Sequence, residues 1–174
     1  MPAERNSPGW FGRLKSWLTN AHDEIPSPHT EATEPERPPA VMPTNEELLA
    51  ARDLLCARGV FDGWIVGYAA SPTNELIAFA LLLRHPSAKQ TASYLLEHGA
   101  SGGIAYGLCL YYLIDHSAFL QVLPTYKDRQ DAIQIAANGC LPLTTPSTLA
   151  AVVDEIESGH YPNLLKEWCA SKCP

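Results

Sequence analysis

Gly103-Ile104-Ala105-Tyr106-Gly107-Leu108-Cys109-Leu110-Tyr111-Tyr112-Leu113-Ile114 is the stretch that decides the fold. It carries no charge, and every residue except the two glycines is apolar or aromatic. A helix that is apolar all round is buried on all sides or lies in a membrane. The run is well short of the roughly 18 residues that suggest a span. It therefore reads as the central buried helix of a soluble domain, from about Ser101 to Ile114. Gly102, Gly103, Ala105 and Gly107 lack bulk, so a neighbouring helix can approach that end closely.

Helical signals flank this centre on both sides. Thr44-Asn45-Glu46-Glu47 matches a capping box, with Leu48, Leu49, Arg52, Leu55 and Cys56 at helical spacing and Gly59 as the stop. Val60 to Tyr68, with aromatic and β-branched residues among three glycines, reads as a buried extended connection. Ser71-Pro72 reads as a helix start, with Leu76, Ile77, Ala80, Leu81 and Leu83 inward and His85-Pro86 as the end. Ser87 is expected to cap a helix from Ala88 to His98 that Gly99 stops. Beyond the centre, Ala118 to Leu123 forms a short helix stopped by Pro124.

Past a charged turn at Lys127 to Asp131 the period changes. Ile133 and Ile135 alternate with Gln134, and Asn138-Gly139 precedes Cys140, Leu141 and Leu143, the pattern of a hairpin with a type I′ turn. A helix from Gln130 to Ala137, ended by Asn138-Gly139, is the competing reading. Thr145-Pro146 is expected to start the last long helix, with Leu149, Val152, Val153 and Ile156 inward and Gly159 as its end. Pro162 to Trp168 gives a short closing helix, and the tail CASKCP is expected to fray. The predicted fold is mainly α: a compact irregular bundle or array of six to seven short helices, with a small β-hairpin near 133–143. No fixed-period repeat supports a solenoid.

The N-terminal quarter has a different character. In residues 1–20, Trp10, Phe11, Leu14, Trp17 and Leu18 share one face of a short amphipathic helix, and the segment has a net charge of +2. Such a helix suits docking into a partner's groove or lying at a membrane interface; folding back on its own domain is the competing reading. Residues 21–43 contain six prolines, and five acids against one arginine. That composition buries too little apolar surface to offset its ordering entropy, so 21–43 is expected to be a disordered acidic linker. The globular domain is then 44–174.

Composition narrows the function classes. A net charge of −7 and a pI near 5.3 argue against a nucleic-acid binder, which shows a basic patch. No secretory signal pattern is present, so a cytoplasmic protein is expected. Five cysteines with no CxxC spacing suggest thiols rather than a disulfide framework.

Candidate chemistry is sparse. His85, His98 and His116 are placed near helix ends, where imidazole favours the negative end of the dipole; a metal site drawn from them is the sharper reading. Cys140 with His160 is a candidate nucleophile and base. Cys169 and Cys173, four apart, could share a helix face. Glu46/Glu47 and Asp154/Glu155 read as surface charges rather than an acid–base pair. No phosphate-loop or dinucleotide pattern implies a cofactor. Trp64, Tyr68, Tyr106, Tyr111, Tyr112 and Tyr126 line either a binding surface or the core.

The leading expectation is a non-enzymatic protein–protein interaction or adaptor module, its N-terminal helix docking on a protein partner through Trp10, Phe11, Leu14, Trp17 and Leu18, with peripheral membrane contact as the variant. One alternative is an inhibitor or immunity-type protein steered to a basic partner by its charge. Another is a cysteine-dependent enzyme using Cys140 and His160.

Overall fold

The computed structural model describes residues 43–62, 72–136 and 144–172, with side chains to residue 170. The described residues form seven helices and a three-stranded mixed sheet. In chain order these are α1 (Asn45–Cys56), β1 (Val60–Phe61), α2 (Asn74–Arg84), α3 (Ala88–His98) and α4 (Ser101–Ile114), then α5 (His116–Tyr126), β2 (Ala132–Ala136), β3 (Thr144–Thr148), α6 (Leu149–Glu157) and α7 (His160–Lys172). Segments 1–20 and 21–43 of the sequence reading, apart from Pro43, lie outside the described residues.

Helix α4 is the hub. Gly102 through Tyr111 are all buried, and α4 touches every other described helix together with β1 and β2. Its small residues are matched to backbone rather than only to side chains. A Cβ on Gly102 would collide with the carbonyl oxygen of Val60, and one on Gly103 would come within 2.8 Å of that of Leu55. Ala100 and Gly103 donate their N–H groups to the carbonyls of Cys56 and Arg58 at 2.9 and 3.3 Å. The chain leaving α1 thus lies directly on the start of α4. Gly107 serves the neighbouring helix, since its Cβ would sit 3.1 Å from both the Ala92 oxygen and the Leu95 Cβ of α3.

Helix α1 begins with the expected capping box: Thr44 N–H donates to Glu47 Oε2 at 2.9 Å, and Glu47 N–H to Thr44 Oγ1 at 3.2 Å. It ends earlier than Gly59 suggested, with Ala57 as C-cap. Helix α2 is capped by Thr73, whose Oγ1 accepts from Leu76 N–H at 3.2 Å, rather than started by Ser71-Pro72. Threonine one residue after the proline offers the same kind of acceptor, and its position puts that oxygen at the first turn. Ser87 precedes α3 without capping it. Its hydroxyl instead meets His85 Nδ1 at 2.7 Å, which draws it away from the helix N–H groups.

Helix α5 differs from expectation at both ends. It opens at His116, because the Asp115 carboxylate accepts from Ala118 N–H at 3.0 Å, and it runs through Pro124 to Tyr126. A proline forfeits one hydrogen bond and crowds the preceding turn. Here it is exposed, while Phe119, Leu123 and Tyr126 bury the opposite face.

The hairpin is present, with its second arm displaced. Strands β2 and β3 pair antiparallel from Ala132↔Thr148 to Ala136↔Thr144, so Thr145-Pro146 lies in a strand and α6 starts at Leu149 with Thr148 as N-cap. Proline followed by a hydroxyl residue mimics a helix start, but on an edge strand its missing N–H is equally tolerated. Asn138-Gly139 and Cys140 fall outside the described residues. Strand β1 adds a third, parallel strand to β2, and the rest of the expected extended connection, from residue 63 on, lies outside the described residues. Gly159 ends the α6 turn with φ at 82°. Finally, α7 continues to Lys172 instead of fraying after Trp168, since Cys169 is buried in the core and holds that turn down.

Candidate functional site

Two features of the domain are unlike ordinary packing. One is a buried polar cluster where β1 meets the start of α2. Phe61 fixes the strand in the core, and its ring lies 4.9 Å from that of Tyr106 on α4. The Tyr106 hydroxyl accepts from Asp62 N–H at 3.0 Å and donates to the Asp62 carbonyl at 3.4 Å. Asp62 and Glu75 are 9% and 6% exposed, values rare for carboxylates. Arg58 forms an ion pair with Glu75. Burial, and then the neighbouring Glu75 charge, push the Asp62 carboxyl above its ordinary range, while a hydrogen bond from Thr73 and the Arg58 charge oppose them.

Two carboxyls in unlike settings, one paired with Arg58 and one raised in pKa by burial, are the kind of arrangement that separates acid from base roles. The same grouping also welds the end of β1 to the cap of α2. Asp62 sits among glycines and aromatics in the sequence, which was a signal of burial. Its approach to Glu75 is a tertiary fact that spacing does not reveal.

The other feature is the outward face of α5. Among the described helices, only α4 and α5 contain no Asp, Glu, Lys or Arg. In α4 that absence accompanies burial. In α5 the residues His116, Ser117, Leu120, Gln121, Pro124 and Thr125 are exposed, and Leu120 is 53% exposed. Beside them Tyr112, His116 and Phe119 form a ring cluster with centroids 4.8 to 5.5 Å apart. Ile114, at the end of α4, is 37% exposed. Helix α6 packs against α5 and exposes Asp154, Glu155 and Glu157.

The residues singled out from sequence fall as follows. Trp10, Phe11, Leu14, Trp17 and Leu18, like Trp64, Tyr68, Cys140 and Cys173, lie outside the described residues. Tyr106, Tyr111 and Tyr126 are core residues. Tyr111 shares a 2.6 Å hydrogen bond with Ser93, and Tyr126 donates to the Leu96 carbonyl at 3.1 Å. Only Tyr112 of the described group is half-buried. His85 and His98 stand at helix C-terminal ends, whereas His116 is the first residue of α5, at the opposite pole. The three do not converge, and among the described residues no group of three or more His, Cys, Asp or Glu is placed to hold a metal.

His160 is exposed, with its ring 5.2 Å from that of Tyr161. Burial raises the Cys109 thiol well above its ordinary pKa; it also raises Cys56, with Asp53 adding to the effect and Arg52 opposing it. Neither has the thiolate character of a nucleophile. Glu47 belongs to the α1 cap, and Glu46, Asp154 and Glu155 are exposed. No described helix is long and apolar enough to cross a membrane. Compared with protein families, curated proteins and solved structures, the chain matches none.

Proposed function

We propose that the chain is a non-enzymatic protein–protein interaction module in which residues 1–20 dock on a partner and the helical domain is the body they are tethered to. The observation that carries this is the layout of the chain. An aromatic stripe of Trp10, Phe11, Leu14, Trp17 and Leu18 is separated by a proline-rich acidic segment from a domain whose described core residues run from Leu48 to Cys169. A short amphipathic helix is marginal alone in water, so a stripe of this kind needs a surface to cover it. Tethering raises the effective concentration at that surface without any new contact.

The test is co-purification of the full chain from its native cells beside a Trp10→Ala/Trp17→Ala chain. The expected result is a stoichiometric protein retained by the first and lost from the second. Equal retention by both removes the role given to the stripe. Sedimentation of both chains with liposomes separates the membrane variant: a partner groove predicts no lipid-dependent pelleting, and pelleting abolished by the substitutions replaces the protein partner with a membrane.

A further inference from the structure

We propose that the outward face of α5 is the resting dock of the chain's own N-terminal stretch. In this arrangement Trp10, Phe11, Leu14, Trp17 and Leu18 lie over Leu120 and Pro124, and a partner must displace that contact to engage the stripe. The inference rests on the reading of residues 1–20 given above and adds its regulation.

The first support is the face itself. A surface helix carries charged residues on its outer side, yet α5 carries none while exposing Leu120 more than any other large apolar residue described. The second is charge. The stretch 1–20 has a net charge of +2, with Arg13 and Lys15 off the apolar stripe. Helix α6, packed against α5, exposes Asp154, Glu155 and Glu157, of which Glu157 is ion-paired with Lys127. An uncharged face that shows Leu120 and Pro124 among His116, Ser117, Gln121 and Thr125, with acids on the neighbouring helix, complements an apolar stripe bordered by cations.

The third is reach. The described chain begins at Pro43, so 24 residues join Leu18 to it. A flexible chain of that length has an end-to-end distance of about 27 Å, and polyproline segments extend it further. A domain of about 130 residues has a radius of gyration near 14 Å. Every face of the domain is therefore within range. A contact with an intermolecular Kd of about 100 µM would be closed about ten to one at an effective concentration of about 1 mM.

Amide hydrogen exchange on the full chain tests this, at two protein concentrations tenfold apart. The chains compared are the unsubstituted protein, Leu120→Glu, Trp10→Ala/Trp17→Ala and Leu49→Glu. Leu49 on α1 is 50% exposed, so it controls for the chemistry of the substitution. The expected result is about tenfold faster exchange over residues 10–18 in Leu120→Glu. Faster exchange of α5 is expected in Trp10→Ala/Trp17→Ala, and no change in Leu49→Glu, at both concentrations alike. Exchange over 10–18 that ignores Leu120→Glu, or follows Leu49→Glu instead, overturns the assignment to α5. Protection that grows with concentration overturns the intramolecular contact in favour of a second copy. Failure here leaves the partner-capture test standing, because that test depends on Trp10 and Trp17 alone.

Discussion

Helices α4 and α5 are consecutive, joined through Asp115 alone, and both lack Asp, Glu, Lys and Arg. Their surroundings are opposite. The hub α4 is enclosed from Gly102 to Tyr111, whereas α5 buries one side through Phe119, Leu123 and Tyr126 and faces water with Leu120 and Pro124. In the first, charge is absent because an unpaired ion inside a core costs many kcal/mol. In the second no such cost applies, so stability does not explain the absence. The lesson is that a missing charge has meaning only when read together with exposure.

The widest separation between the two helices comes from one substitution made in each. Leu108 on α4 is fully buried, and Leu108→Glu is expected to cost more than about 5 kcal/mol. Leu120→Glu on α5 is expected to cost only about 1.4 kcal/mol, the share of a contact closed ten to one. Denaturant midpoints of the two chains check this, and a large loss in Leu120→Glu would make α5 a structural element like α4.

A smaller effect separates glycines. Gly102→Ala drives a Cβ into the Val60 carbonyl, and backbone cannot swing aside as a side chain can, so a loss of about 3 kcal/mol or more is expected. Gly59 has nothing within 4 Å of its Cβ position, and Gly59→Ala is expected to be near neutral. Thermal unfolding of the pair decides it; equal losses would mean that the approach of Val60 to α4 does not need glycine.

The smallest expected effect concerns the acid held at the edge of the hub. Folding raises the Asp62 pKa, so its favourable share of stability is present in full below its unfolded value near 3.8 and is lost as pH rises through the folded value. Asp115 and Asp131 act in the reverse sense. Hydrogen bonds from Lys89 and Arg129 respectively lower their pKa values, and what they contribute is lost as pH falls. Asp62→Asn is therefore expected to lose less stability than the unsubstituted chain between about pH 4 and pH 7. Parallel stability curves over that range would show that Asp62 does not titrate with folding.

Much of the helical order was legible before any coordinates. The greasy run at Gly103–Ile114, the capping box at Thr44 and the inward set Leu149, Val152, Val153 and Ile156 are local patterns, and each stands where its period placed it. What local pattern did not carry is decided by contacts distant in sequence. Pro124 remains helical because three aromatic and aliphatic neighbours anchor the opposite face, and Thr145-Pro146 is extended because β2 pairs with it. The approach of Asp62 to Glu75 joins two elements through Tyr106, 44 residues beyond Asp62. The α5 surface lay open in the composition of HSAFLQVLPTY, but its significance required knowing which side faced water. The aromatic stripe at residues 10–18 is a sequence feature alone.

The grip of Tyr106 on both polar atoms of the Asp62 peptide, next to the Thr73 cap, has an evolutionary corollary. Removing the Tyr106 hydroxyl would leave the buried Asp62 N–H with no acceptor, a cost of about 1–3 kcal/mol. Drift at this position is therefore held to tyrosine, whereas its purely apolar neighbours can exchange among themselves.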